Sequence, residues 1–257
     1  MKKTLIILLT AMAIIACKED ESQTPDPGIL NLTFENVING TPLNFGDSHV
    51  NTSSETFRVN ELKYIISNIT LTRKDGSIVI YPPEQSYFVI NEADANSQSI
   101  QLEGIEAGAY TDITFGFGVN PTKYPIESGT LNFIPTAEET GMLWTWSAGY
   151  KFIMLEGDYT PQNAAESAPF TIHVGSHGAN LDNYKEITVS LEDGSANEDF
   201  TIAEGINASR TIEFDVAQVF DGPNTISIDN KPDIQVDPIN APLIASNIST
   251  AFIATQD

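Results

Sequence analysis

Short apolar segments separated by turn-forming residues are the feature that most limits how this chain can fold. The run ILNLTF at residues 29–34 alternates apolar and polar positions, as a strand with one buried face does. No long helical pattern intervenes, so the sequence predicts an all-β fold, an antiparallel β-sandwich of Greek-key type. Comparable runs, with Gly, Pro, Asn and Asp between them, lie at residues 76–81, 86–90, 99–102, 110–119, 150–155, 170–174, 186–191, 210–216 and 225–229.

Two segments carry a mixed signal. In residues 59–71, apolar positions fit helical spacing, but the high content of β-branched residues favours a strand. Residues 241–254 are predicted to contain a short packing helix. No second linker and no internal repeat interrupts the chain after residue 28, which indicates a single domain over residues 29–257.

The first 28 residues resemble an export leader and a tether. Two lysines precede an apolar run at residues 4–16, which is too short to span a bilayer comfortably and is typical of a signal peptide. The sequence IIAC resembles a bacterial lipobox, so residues 1–16 are predicted to be removed and Cys17 to carry an anchoring lipid such as palmitate. Residues 17–28 then form a polar tether. A plain secretory signal with an incidental cysteine is the alternative.

The residues after Cys17 suggest a location. The sequence KEDE resembles the signal that sends Bacteroidetes lipoproteins to the outer cell surface, although a merely solvated acidic tether would read the same. We expect an outer-membrane protein, on the periplasmic face or at the cell surface, with the membrane as partner through the lipid on Cys17. Because Cys17 is the only cysteine, the fold must rely on core burial rather than on disulfides.

The charge balance excludes one class of partner. The chain has 35 acidic and 12 basic residues, and loss of the leader removes Lys2 and Lys3 but no acid, so the net charge of −23 becomes −25. Such a surface repels DNA and RNA, and we expect no nucleic-acid partner. Most of these acids are explained by solvation and define no metal site.

The sequence has no catalytic signature, since a nucleophile elbow, P-loop, HExxH, GxGxxG and EF-hand loop are all missing. It therefore predicts a protein that is not an enzyme. The three histidines are His49, His173 and His177, and the last two lie four residues apart across a Gly-Ser turn. Imidazole nitrogen is a good ligand for copper or zinc. A hydrogen-bonded structural role for His173 is the alternative.

One long segment resembles a known family. GMLWTWSAGYKFIMLEG at residues 141–157 holds both tryptophans, and FTIHVGSHG follows at residues 170–178. Together they resemble the MbnP-like family of copper-binding, lipid-anchored periplasmic proteins. Residues 30–43, 57–76 and 104–120 also resemble strands of that family, so the resemblance covers most of residues 29–191.

The resemblance implies a Cu(I) site. In related copper proteins of methanotrophs, a tryptophan is oxidised to kynurenine, whose amine joins two histidines around Cu(I), and a dihaem peroxidase-type partner is implied for the oxidation. His173 falls on the family's histidine position, and Trp144 and Trp146 fall on its Trp-x-Trp positions. Which tryptophan is oxidised stays open, and core packing of both is the alternative.

The remaining candidate ligands depart from the family pattern. His49 and His177 are the choices for a second histidine, although neither falls on a fixed family position. Met142 and Met154 lie beside the tryptophans, where a thioether could help to hold Cu(I), or both could fill the core. The predicted function is acquisition, storage or delivery of copper by a lipid-anchored envelope protein. The alternative is a metal-free β-sandwich that binds a polysaccharide or a partner protein.

Overall fold

The structure is a computed structural model that describes residues 25–123, 134–144, 149–176, 181–192 and 199–255. Cys17, Trp146 and His177 lie outside the described residues. The strands β1 to β15 are Gly28–Ile38, Thr41–Pro42, His49–Val50, Thr56–Arg73, Ile78–Ile80, Tyr87–Asn91, Ser99–Ile105, Gly108–Phe117, Lys151–Thr160, Ala168–Gly175, Lys185–Ser190, Phe200–Ile202, Asn207–Asp215, Asp233–Gln235 and Phe252–Thr255. The helices α1 to α3 are Pro135–Glu139, Gln218–Asp221 and Asn240–Ile248, and 3₁₀ turns occupy Pro83–Gln85 and Pro121–Lys123.

The strands form two sheets that lie face to face. The smaller sheet has the order β15-β13-β1-β2, with β7 also on β1. The larger sheet has the order β11-β8-β4-β9-β10-β14, and β3, β5, β6 and β12 extend it. Phe34 of the smaller sheet packs edge-on against Tyr64 and Phe115 of the larger one. The core therefore sits between the sheets, and the predicted all-β sandwich is confirmed.

The sheets differ from the prediction in strand direction. Strand β1 pairs with β13 in parallel, and β10 pairs with β14 in parallel. The β1–β13 pair joins residues such as Ile29 and Asn207, which are far apart in sequence. Local turn signals predict hairpins, and hairpins are antiparallel, so this long-range pairing left no signal in the sequence.

Both mixed signals are resolved. Residues 59–71 lie within β4, whose 18 residues pair with five other strands, namely β3, β5, β6, β8 and β9. The predicted C-terminal helix is confirmed as α3, which ends at Ile248 and is followed by β15. Phe220 of α2 packs against Phe57 and Phe170, so helical residues close one end of the core. Across the described residues, no helix is both long enough and apolar enough to cross a bilayer.

Candidate metal centre beside a tryptophan segment

The register of the larger sheet decides which side chains share a face. Leu62 lies opposite Leu155, and Leu155 lies opposite Ile172, and all three are buried in the core. Side chains alternate between faces along a strand, so the neighbouring row must point away from the core. That row consists of Lys63, Met154, His173 and Gln235 on β4, β9, β10 and β14. We call this side of the sheet the outer face.

His173 is buried on the outer face, with 7% of its surface exposed. Its Nε2 lies 2.7 Å from Oε1 of Glu156 on β9. Its Nδ1 is buried and makes no hydrogen bond of normal geometry within the described part of the chain. A neutral ring that donates from Nε2 to the carboxylate therefore keeps the lone pair of Nδ1 free.

Burial sets the protonation of this ring. Desolvation lowers the pKa of His173 below its ordinary value of 6.5, and the positive charge of Lys151 lowers it further. The hydrogen bond and charge of Glu156, with the nearby amide of Gln235, act in the opposite direction but do not prevail. The lowered pKa favours the neutral ring, which is the form that a metal requires.

Trp144 lies on the same face as His173. Between Val174 and Gly175 the register shifts by one extra residue on β9, so β10 itself runs regularly and Gly175 faces the same way as His173. A Cβ added to Gly175 would lie 2.6 Å from Cζ3 of Trp144, which means that the indole covers this glycine. Two residues of a strand span about 6.6 Å, so the indole is a near neighbour of the imidazole. Trp144 is buried yet stands outside the core cluster.

The two methionines differ in their surroundings. Met154 lies directly opposite His173 in the β9–β10 register. Its Sδ is 3.6 Å from Nζ of Lys151, so the thioether borders the outer-face site. Both methionines belong to the hydrophobic cluster, but Met142 is fully buried whereas Met154 keeps 7% of its surface exposed. The placement favours Met154 over Met142 as a neighbour of His173.

His49 lies elsewhere. It pairs with Phe57 on β4 and its ring packs 5.7 Å from that phenyl ring, on the core side of the sheet. His173 is on the other face, three strands away, a separation of roughly 14 Å across the strands alone. Nε2 of His49 is also buried without a hydrogen bond in the described chain. Metal–nitrogen bonds are only about 2 Å long, so His49 is removed as a co-ligand of His173.

The sequence did not single out three charged residues near the site, namely Glu156, Lys63 and Lys151. Glu156 faces Glu61 across the β4–β9 pair; the neutral His173 ring hydrogen-bonds to Glu156, and Lys63 forms an ion pair with Glu61. Lys151 is partly buried, and desolvation lowers its pKa although Glu156 and Glu61 pull the other way. The alternation of KFIMLEG could have placed Met154 and Glu156 on one face, but in an acidic chain these charges read as solvated.

The described residues contain no group of three or more His, Cys, Asp or Glu side chains placed to hold a metal. The described candidate donors at this site are thus one imidazole and one thioether, and His177 and Trp146 stay predictions. Oγ of Ser176 accepts a hydrogen bond from the backbone N–H of Asn183 at 2.9 Å. This bond joins Ser176, three residues after His173, to Asn183.

Fold and site together define a β-sandwich protein with a buried histidine beside a tryptophan-bearing segment. A family model named MbnP matches residues 27–237, and the chain belongs to this family. The structure also resembles that of MbnP from Methylosinus trichosporium, with a TM-score of 0.52 and 12% identity, over 83% of this chain and 86% of that chain. This likeness shows a shared fold. A comparison with curated proteins gives no significant match.

Proposed function

We propose that this protein is a lipid-anchored envelope protein that binds Cu(I) through Nδ1 of His173. The observation that carries the proposal is the state of this imidazole. It is buried, one nitrogen is held by Glu156, and the other makes no hydrogen bond within the described residues. Burying a polar atom without a partner costs free energy, and a bound metal would repay that cost.

The Glu156 carboxylate gives His173 the features of a metal ligand. A metal-binding histidine usually donates its other N–H to a carboxylate or carbonyl, which fixes the tautomer and the ring orientation. Imidazole and thioether are both suitable donors for copper, and Met154 lies opposite His173. The residues present therefore fit a copper ion. We propose His177 as the second imidazole because it follows His173 by four residues.

The role of the tryptophan is proposed from the family. Trp144 is our candidate for oxidation to kynurenine by a dihaem peroxidase-type partner, because it covers Gly175 beside His173. Peptide mass spectrometry of protein from its native host tests this assignment. The expected result is a modified mass on the peptide that contains Trp144, and tandem spectra must place the change on that residue. Unmodified tryptophans throughout, or a change at Trp146, would contradict it.

A copper competition titration tests the site. We expect the parent chain to compete with a chromophoric Cu(I) chelator. His173→Ala should lose at least about tenfold in affinity, because loss of even an outer-shell partner of a metal ligand typically costs that much. His49→Ala is the matched control and should bind like the parent, since it lies on the other face. Equal affinity in the parent and in a folded His173→Ala variant would overturn the site.

Anchoring is a separate proposal with its own test. Cys17 would carry the lipid, and residues 18–24 would connect it to the described chain at Pro25. Cells fed labelled palmitate should label the parent and not Cys17→Ser, and the labelled protein should fractionate with the outer membrane. Label on the variant would show that Cys17 is not the acylated residue.

We propose a binding role rather than an enzymatic one, with copper acquisition, storage or delivery as its purpose. The metal-free alternative, a module for polysaccharides, has weaker support. Sugars stack on exposed aromatic platforms, but the exposed large hydrophobic residues of the described chain are aliphatic except for Phe45. A chain that binds no copper and captures a glycan would reverse this preference.

A further inference from the structure

The tryptophan segment is fastened to the outer face by two lysines. Nζ of Lys63 on β4 donates to the carbonyl oxygen of Thr140 at 3.0 Å. Nζ of Lys151 on β9 donates to the carbonyl oxygen of Gly141 at 2.9 Å. These two consecutive carbonyls follow α1, where a helix leaves its last carbonyl groups without partners. Two neighbouring strands thus hold one short turn of backbone.

The turn itself is a defined helix ending. Gly141 has φ +77°, a left-handed conformation that glycine adopts without strain. The N–H of Met142 bonds to the carbonyl of Ala137 at 2.7 Å, and that of Gly141 bonds to Glu138 at 3.1 Å. This pair of bonds is the Schellman ending of a helix. It directs the chain out of α1 and along the outer face.

Two further backbone hydrogen bonds fix the chain between this turn and Trp144. The backbone N–H of Lys151 donates to the carbonyl of Met142 at 2.7 Å, and the N–H of Trp144 donates to Gly149 at 3.2 Å. Lys151 therefore holds this segment twice, through its side chain and through its backbone. Trp144 then lies over Gly175, two residues along β10 from His173.

We propose that Lys63 and Lys151 are positioning residues that hold Trp144 against the His173 site. We call the two bonds from Lys63 and Lys151 to the carbonyls of Thr140 and Gly141 the clamp. Its purpose rests on the proposed copper function, but the clamp itself exists in the metal-free protein. A solvated lysine would not serve this way, and Lys63 is only 15% exposed in its side chain. Without the two ammonium groups, the carbonyls of Thr140 and Gly141 would lose these partners, and only backbone bonds such as that from Lys151 to Met142 would hold the segment to the sheet.

The first test is amide hydrogen exchange of the metal-free protein, measured by mass spectrometry on the full chain. In Lys63→Met/Lys151→Met we expect amides in residues 140–144 to exchange at least about tenfold faster, because local opening no longer breaks the clamp. Amides of β1 and β13 should keep the parent's rates. Lys63→Met and Lys151→Met alone perturb the protein less and are measured in the same way, so the clamp remains testable if the double variant does not fold.

Lys74→Met is the matched control. It removes an ion pair with Asp199 that is exposed on both sides and lies at the far end of β4. This variant should leave exchange in residues 140–144 unchanged. Unchanged exchange there in the double and single clamp variants would overturn the proposal. A uniform rise that includes β1 and β13 would also overturn it, because it would show general destabilisation.

Copper affinity gives the second readout. In the clamp variants we expect Cu(I) affinity to fall by about tenfold, the lower end of the effect of outer-shell partners. In a Trp146→Phe background, emission from Trp144 should shift to the red as the indole leaves Gly175. Faster exchange and a red shift in a chain that binds no copper would support the clamp and refute the copper function. Unaltered affinity with a loosened segment would refute the link between the clamp and the site.

Discussion

Two buried titratable groups, one in the loop before β4 and one on β10, make an instructive comparison. Glu55 and His173 are exposed by 6% and 7%, so both have lost most of their solvation. The carboxylate of Glu55 accepts bonds from Asn51, Ser227 and the N–H groups of Ile228 and Asp229, at 2.6 to 2.9 Å. His173 makes one hydrogen bond of normal geometry, to Glu156; its Nδ1 makes none in the described chain, although the amide of Gln235 lies near the ring.

The difference separates a structural group from a candidate ligand. The bonds of Glu55 join the loop before β4 to the segment before β14, so folding itself repays the cost of burial. In the described fold, a hydrogen bond offsets the cost of burying Nε2 of His173, but none offsets the cost of burying its Nδ1. Buried polar groups are nearly always satisfied. Nε2 of His49 is another exception, but His173 is the one whose second nitrogen is held by a carboxylate and which lies opposite a thioether, and this combination is what marks it as a candidate ligand.

Glu55→Gln is expected to have the largest effect on stability. The amide would turn its NH₂ group towards backbone N–H donors, and charge-assisted hydrogen bonds would be lost, for a loss of about 3 kcal/mol in the free energy of unfolding. Denaturant unfolding of the copper-free protein measures it. Glu103→Gln, at an exposed strand position, is the control and should stay within about 0.5 kcal/mol. An equal, small loss in both variants would remove Glu55 as a structural anchor.

Gly175→Ala is expected to have the next largest effect on stability, and it lies on the same face of the sheet as His173. Its Cβ would lie 2.3 Å from the backbone oxygen of Tyr150 and 2.6 Å from Trp144, so we expect a loss of about 2 kcal/mol from overpacking. Gly149→Ala is the control, because its Cβ would meet nothing closer than 3.4 Å. Thermal unfolding should separate the two variants clearly. Matching melting temperatures would mean that the indole does not cover Gly175.

His173→Leu should be nearly neutral without copper, and this sharpens the comparison. The change removes the buried nitrogen that lacks a partner, and Glu156 is 35% exposed in its side chain and can regain water. We expect a change within about 1 kcal/mol in the free energy of unfolding, in contrast to Glu55→Gln. A loss as large as that of Glu55→Gln would show that His173 is a structural residue.

The pH dependence of stability distinguishes the same two groups. Burial lowers the pKa of His173, so the unfolded chain binds the proton more readily, and folding weakens as pH falls below 6.5. For Glu55, burial acts to raise the pKa, but the four hydrogen bonds outweigh it, so the pKa is lowered and stability falls only below pH 4.5. Unfolding between pH 4 and 7 should show the upper slope reduced in His173→Leu and unchanged in Glu55→Gln. If Glu55→Gln instead reduced the dependence of stability on pH near pH 6 and His173→Leu did not, the stated pKa shifts of both groups would be wrong.

The sequence predicted much of the fold, and among the described site residues it singled out His173, Trp144 and Met154 but not the face that they share. Strand patterns and turns are local, so β4 and α3 were predictable from residues 59–71 and 241–254. The parallel pairing of β1 with β13 was not, because no short-range signal records it. His49 was a candidate on residue type alone, and only the register shows it on the core face. Glu156, Lys63 and Lys151 were missed because a charged strand residue looks solvated until the covering segment is known.

Nitrogen NMR of histidine-labelled protein tests the central claim most directly. In the copper-free chain at pH 7, we expect His173 to show a protonated Nε2 and a bare Nδ1, assigned by comparison with His173→Ala. On addition of one equivalent of Cu(I), the Nδ1 signal of His173 should shift while the signals of His49 stay in place. A His173 ring whose Nδ1 signal does not move at saturating Cu(I) would contradict the account.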